Sequence, residues 1–364
     1  MRANLPTEYP ALGLIFLCRP GFEPECAAET QAVFADCGVA GYCKTHATDG
    51  YGVFHATDPG RIGSATAQLD PRTLTFVRQG IWLTRIVTDL PERDRLSVIL
   101  QHLPPGPFGA LWLETPDTND GKAVQTFCRQ FAPHLERALR QSGTLNDGNP
   151  TLPRLHIVFP NSRTAYLGIT DPARTWPWPG GVPRLKMPRE APSRSTLKLD
   201  EAIQTFLTAE QRQRWLRPGL TAVDLGAAPG GWSWQLVRRG LHVTAIDNGP
   251  MAPALLATGQ VEQRREDGFR YRPPRRVDWL VCDMVEQPQR IASLIAAWLA
   301  RGDCRHAIFN LKLPMKKRHA MVQDCAALIR TELERNAVAY TLKLRQLYHD
   351  REEVTGFASI DTRI

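Results

Sequence analysis

Apolar and polar positions along this chain follow two rhythms, and the change between them falls at a proline-rich stretch. In the first half, "LGLIFLC" (12–18) and "GALWLET" (109–115) read as strands, and "PRLHIVFPNSRTAYLGI" (153–169) as two strands about a polar turn. "GFEPECAAETQAVFADCG" (21–38) reads as a helix stopped at Gly38, and "GKAVQTFCRQFAPHLERALRQSG" (121–143) as one or two helices stopped at Gly143. Strands and helices do not alternate regularly, which predicts one or two small α+β modules.

Residues 171–192, "DPARTWPWPGGVPRLKMPREAP", hold six prolines and two adjacent glycines, too many breakers for a helix or an inner strand. They are expected to form a semi-rigid linker, with Trp176 and Trp178 packing on a neighbouring domain rather than stacking a base. Beyond it, short apolar strands recur at 221–225, 242–246, 278–282 and 307–311, with helix-like stretches at 232–239, 288–301 and 319–335 between them. That alternation predicts a parallel, doubly wound sheet. The tail 339–360 alternates with period two and holds no helix, so it is expected to close the sheet edge as an antiparallel pair.

Composition narrows the class. A chain of 364 residues, 43% hydrophobic and 23% charged, has ample material for the cores of two or three globular domains. Its formal charge of +8 favours an anionic partner, nucleic acid first. The cysteines at 18, 26, 37, 43, 128, 282, 304 and 325 form no CxxC pair and no zinc-ligand spacing, and the histidines show no ligand or triad spacing. The thiols read as reduced core residues of a cytosolic protein, and no metal site is expected. "ALGLIFLC" (11–18) fails as a signal-peptide core, because Glu8 and two prolines precede it and no small-residue cleavage site follows. No apolar stretch approaches the roughly 18 residues a membrane helix needs. The expectation is a cytoplasmic protein with no membrane partner; nothing in the sequence speaks to oligomeric state.

Two stretches of the second half carry chemistry. "VDLGAAPGGWSWQLVRRG" (223–240) is a strand, a Gly/Pro-rich turn and a helix, and glycines there let backbone approach a ligand closely. Gly226, Ala228, Pro229, Gly230 and Gly231 do not follow the spacing of a dinucleotide or P-loop motif. Pro229 and Trp232 would crowd a pyrophosphate, so a nucleoside with an amino-acid arm fits better. Asp224 ends the first strand and Asp247 the second, where an acid binds ribose hydroxyls. Asp267 in "REDGFRY" is placed to accept from an adenine amino group, or is a solvated turn acid. Together these resemble the S-adenosylmethionine pocket of a Rossmann-like methyltransferase.

Four further residues form a candidate catalytic set. Asp283 and Lys312 follow strands at the carboxyl edge of the sheet, Lys198 sits at a helix entrance in "SRSTLKLDEAI", and Glu353, beside Glu352, sits in "HDREEVT". A ribose hydroxyl must lose a proton as it attacks a sulfonium methyl group, and a base of pKa near 7 serves best. Lysine starts near 10.4, so partial burial and the ammonium of Lys198 are expected to lower Lys312 into range. Lys312 is then the general base, with Lys198, Asp283 and Glu353 orienting it.

The K–D–K–E set with "DLGAAPGG" resembles the FtsJ/RrmJ-like 2'-O-ribose RNA methyltransferases. The stretches "VPRLKMPREAPSRSTLKLDEA", "AIDNGPMAPALLATGQV", "FNLKLPMKKR" and "QLYHDREEVT" are similar, more closely, to the bacterial RlmM family. The resemblance implies methylation of a cytidine ribose in the peptidyl-transferase region of 23S rRNA, free or in a pre-50S precursor. It implies cofactor contacts at Ser195, the 228–231 turn, Asp247, Asp267 and Asp283, with Lys312 as proton acceptor. It further implies a ferredoxin-like module (1–95), a THUMP RNA-binding module (96–170), the linker (171–192) and a Rossmann-like methyltransferase domain (193–364). Five Lys/Arg against one Glu in 184–198, six Arg against two acids in 264–276, and Lys316, Lys317 and Arg318 are candidates for a phosphate track. Two other readings stand beside this one. A base methyltransferase would want an NPPY-like motif or a catalytic cysteine, for which only Cys282 is near; an RNA-binding protein with a vestigial catalytic domain would bind cofactor without turnover.

Overall fold

The computed structural model describes residues 11–360, so Glu8 and the prolines at 6 and 10 lie outside the described residues. The chain divides into two units, one ending at Val182 and the other beginning at Pro183. The first is built on seven strands: β1 (Gly13–Leu17), β2 (Gly41–Thr45), β3 (Tyr51–Ala56), β4 (Gln79–Val87), β5 (Ala110–Glu114), β6 (Arg154–Asn161) and β7 (Thr164–Thr170). Their order is β2-β3-β1-β4-β7-β6-β5, antiparallel throughout except for β5 beside β6. Because β4 pairs with both β1 and β7, strands far apart in sequence share one ladder.

Of the one or two helices expected near 121–143, the structure forms one, Asn119–Gln141, capped by the Thr118 side chain on Gly121 N–H. Val124, Cys128, Phe131, Leu135 and Leu139 recur at spacings of three and four and bury its inner face. The first part of the proline-rich stretch is tied to this unit: Gln79 Nε2 donates to Thr175 Oγ1 at 3.0 Å and Arg154 Nη1 to the Trp176 carbonyl at 3.1 Å. Trp176 and Trp178 stack on each other, 5.8 Å between ring centroids.

The second unit holds β8 (Thr221–Leu225), β9 (His242–Ile246), β10 (Val261–Arg264), β11 (Val277–Cys282), β12 (Cys304–Lys312), β13 (Thr341–Arg345) and β14 (Glu353–Ser359). Their order is β10-β9-β8-β11-β12-β14-β13. Pairing is parallel from β10 to β12, and β14 and β13 close the edge antiparallel, as the period-two tail predicts. Both faces are covered. Ala222, Trp279, Val281, Ile308 and Phe357 face a core built with Ile203, Phe206, Trp232 and Leu236. Val223, Leu280, Cys282, Phe309 and Leu311 face the opposite core, with Ile295, Trp298, Ile329 and Leu333.

This alternation positions the site. Asn310 and Lys312 continue the Ile308 face, Asp283 continues that of Val281, and register sets Thr355 opposite Asn310 and Glu353 opposite Lys312. That face is covered by the helix Thr196–Phe206, whose Leu199, Ala202 and Ile203 pack into the same core. Among the described residues no helix is long and apolar enough to cross a membrane.

Candidate active site

Lys312, the last residue of β12, donates to Asp283 Oδ1 at 2.8 Å and to Glu353 Oε2. Lys198 donates to the other Glu353 oxygen and lies 3.9 Å from Asp283 Oδ2. Two lysines and two carboxylates therefore close a ring at the carboxyl edge of the sheet. All four side chains are mostly buried, Lys312 keeping the largest exposure at 25%. Of the two neighbouring glutamates, Glu353 points into the ring, while Glu352 pairs with Arg318 at the surface.

The Lys312 pKa moves opposite to the fall expected from sequence. Burial alone would pull the Lys312 pKa down, but the Asp283 and Glu353 carboxylates, in direct contact, outweigh it and hold the ammonium above the ordinary lysine value. The expected lowering is absent in the free chain, where both lysines contact the same two carboxylates. Glu353 behaves as the counterpart: burial raises its pKa, the two lysines overcome that, and it stays below the usual glutamate value.

The turn after β8 is shaped by contacts. Gly230 has φ +113°, in the left-handed region, and a Cβ on Gly231 would stand 2.2 Å from Ser195 Oγ and 2.3 Å from Ser193 Oγ. The two hydroxyls bond each other at 2.7 Å, so the start of the Lys198 helix presses directly on the turn. Asp247 closes the other side, accepting from Ala228 N–H at 3.0 Å and Gly249 N–H at 2.7 Å. Asp267 lies on an exposed turn, accepting from Phe269 N–H at 2.9 Å, with Arg270 3.6 Å away. Asp224 is wholly buried, with one oxygen accepting from Ser233 Oγ at 2.7 Å and the other finding no donor among the described residues. Burial first, then the Asp283 charge, pushes its pKa up to about 7. Its carboxyl is packed beneath the turn. Backbone-lined glycines, a strand-end acid and the absence of a P-loop lysine from this turn suit a nucleoside sulfonium better than a pyrophosphate.

Sequence reasoning overlooked the supports. Asn310 Nδ2 donates to Asp283 Oδ1 at 2.8 Å, and Thr355 Oγ1 lies 2.7 Å from Asn310 Oδ1 and 3.0 Å from the Asp350 carboxyl. Glu201, one turn after Lys198, accepts from the backbone of Tyr348 and His349 and fixes the segment leading into β14. A polar Asn310 inside an apolar strand, two positions before Lys312, was the available signal. Cys282, the thiol a base methyltransferase would need, is buried in the opposite core with its pKa pushed up to about 12, chiefly by burial.

Residues 12–81 match the RlmM ferredoxin-like domain, 94–171 the N-terminal domain of ribosomal RNA large subunit methyltransferase M, and 191–322 the FtsJ-like methyltransferase domain. The chain is 49% identical to a ribosomal RNA large subunit methyltransferase M of Azoarcus sp. over 99% of its length and 100% of the relative's. It is 50% identical to that of Aromatoleum aromaticum, over 96% of the chain and 95% of the relative. Against that of Methylococcus capsulatus it is 49% identical, over 95% and 98%.

Proposed function

We propose that this chain, which belongs to the family of ribosomal RNA large subunit methyltransferases M, transfers a methyl group from S-adenosylmethionine to a ribose 2'-hydroxyl of 23S rRNA, with Lys312 as the proton acceptor. The observation that carries the reading is the closed ring of Lys198, Asp283, Lys312 and Glu353 beside the Gly230–Gly231 turn. The finer target, a cytidine in the peptidyl-transferase region, follows from the family resemblance. So do the THUMP role of residues 96–170 as an RNA anchor and a cytoplasmic location.

When bound, the cofactor supplies an electrophilic methyl group on a positively charged sulfur. Ser195, the 228–231 turn, Asp247 and Asp267 are the residues that would hold it, with Asp224 supporting the turn from below. A second positive charge at this edge acts against the Lys312 ammonium, moving its pKa in the direction a base requires. Lys312 would act as the neutral amine, its extra proton lost to solvent beforehand, and would take the proton of the ribose hydroxyl as the methyl–sulfur bond breaks and the methyl–oxygen bond forms. Asp283 and Glu353, which hold the ammonium in the free chain, stabilise the same ammonium as it forms. Catalysis here is orientation plus a charge cradle already in place.

The test is the chemical position of the methyl group. Digestion of methylated 23S rRNA to nucleosides should give a 2'-O-methylated ribose, and a methylated base would overturn the reading. Comparing turnover on free 23S rRNA with finished 50S subunits then tests the substrate state; loss on the finished subunit is expected if the target is reached before assembly is complete.

A further inference from the structure

We propose that Asp350, Thr355 and Asn310 form a buried hydrogen-bonded rod that fixes the Asp283–Lys312 pair, so that all three are positioning residues for methyl transfer. The proposal rests on reading Lys312 as the base. The number of protons available fixes the direction of each bond. Asp283, held between two lysine ammonium groups, has only acceptor oxygens to offer, so the nitrogen of the Asn310 amide must face it, at 2.8 Å. The Asn310 oxygen then faces Thr355 Oγ1 at 2.7 Å and consumes the one proton of that hydroxyl. Thr355 also lies 3.0 Å from the Asp350 oxygens, and the only proton left for that bond belongs to Asp350. Leu347 N–H donates to Asp350 Oδ2 at 2.9 Å.

An acid at the end of this rod must therefore be neutral, and the surroundings make it so. Asp350 is 1% exposed, and burial, aided by the nearby Glu353 charge, holds its pKa well above the usual carboxylate range. Asn310 and Thr355 have no exposed surface at all. Two polar side chains inside a sandwiched sheet add little stability over apolar ones of the same shape. What they add is direction: each bond has one allowed donor, so the Asn310 amide cannot turn over, and Asp283 and the lysine it holds keep one orientation.

The test uses the full-length chain and methyl transfer to 23S rRNA at saturating cofactor, with K312A as the reference. Thr355→Val keeps the shape and removes the hydroxyl; kcat should fall roughly 10- to 100-fold, the cost of losing a supporting hydrogen bond or misplacing a reacting group. KM for RNA and the cofactor Kd should stay near wild type. Thr355→Ser should recover most of the rate. Asp350→Asn supplies an N–H toward Thr355 and an oxygen toward Leu347, so it should turn over well above Asp350→Ala. If Thr355→Val matches wild-type kcat while K312A is inactive, the rod does not position the base. Equal damage in Asp350→Asn and Asp350→Ala would show that the carboxylate, not the neutral acid, matters, and would also overturn the proposal. This pair decides the matter even where Thr355→Val fails to fold. An active K312A would instead remove the base reading on which the rod depends.

Discussion

Both units carry buried charge, and they satisfy it in different ways. In the first unit, Glu23 accepts from the N–H groups of Gly21 and Gly50, and Glu29 from those of Thr75 at 2.5 Å and Phe76 at 2.9 Å. Glu114 is the mixed case, accepting from Gly180 N–H and bonding the titratable His156 Nδ1, each at 2.5 Å. In the second, Asp283 and Glu353 are held by Lys198 and Lys312, whose protons can leave. A backbone amide never titrates, so a carboxylate clamped by amides is a fixed joint. A carboxylate clamped by ammonium groups sits in a structure whose proton inventory can change. The helix Thr196–Phe206 carries both kinds of partner one turn apart: Glu201 accepts from the Tyr348 and His349 backbone and also bonds the His349 ring, and Lys198 joins the ring of charges.

The contrast should break most visibly at Lys312. Lys312→Ala is expected to lower kcat roughly 10²- to 10⁴-fold, the range for removing a general base. Cofactor affinity, measured by calorimetry, should change little, and an equal loss of both would mean that Lys312 binds rather than reacts. Glu29→Gln should do the reverse. It places an NH2 group against one of two backbone donors, so it should cost about 1.5–3 kcal/mol of stability by urea titration. Turnover per folded molecule should stay the same. A Glu29 variant that folds normally yet turns over slowly would erase the distinction between joints and chemistry.

How far the sequence disclosed this depends on where burial repeats. The inner strands β8, β9, β11 and β12 stood out as short apolar runs because both of their faces are covered. The strands β2 and β10 sit at sheet edges, with alternating or partial exposure, and left no such run. β4 was hidden because Gln79 and Thr84 interrupt its apolar positions and its partners lie far away in sequence. Lys312 and Asp283 were legible from their place after apolar strands. Glu353 is hard to prefer over Glu352 from sequence alone, and the register that pairs it with Lys312 supplies the reason. The direction of the Lys312 shift was misread for the same reason: burial can be inferred from a pattern, but the balance between two carboxylates and a second ammonium is set by distances.

Asp224 belongs to neither mode and gives the smallest, most diagnostic effect. It is fully buried, has one hydroxyl donor, and its second oxygen has no partner among the described residues. Its pKa in the folded chain is pushed up to about 7, chiefly by burial, whereas the unfolded chain titrates near 4. Below pH ~4 both states hold the proton, and the group contributes no pH dependence. Between ~4 and ~7 the unfolded chain ionises while the folded chain does not, so unfolding becomes easier as pH rises; above ~7 both are ionised and the dependence stops. Asp224→Asn removes this titration. Its amide also leaves a buried polar atom short of partners, so the absolute stability of the variant is a poor guide and the slope is the readout. Urea unfolding at pH 5, 6, 7 and 8 should show the variant gaining on the wild-type chain up to about pH 7 and then running parallel to it. A wild-type chain that instead gains on the variant as pH rises would place Asp224 among the paired carboxylates, where ionisation stabilises the fold.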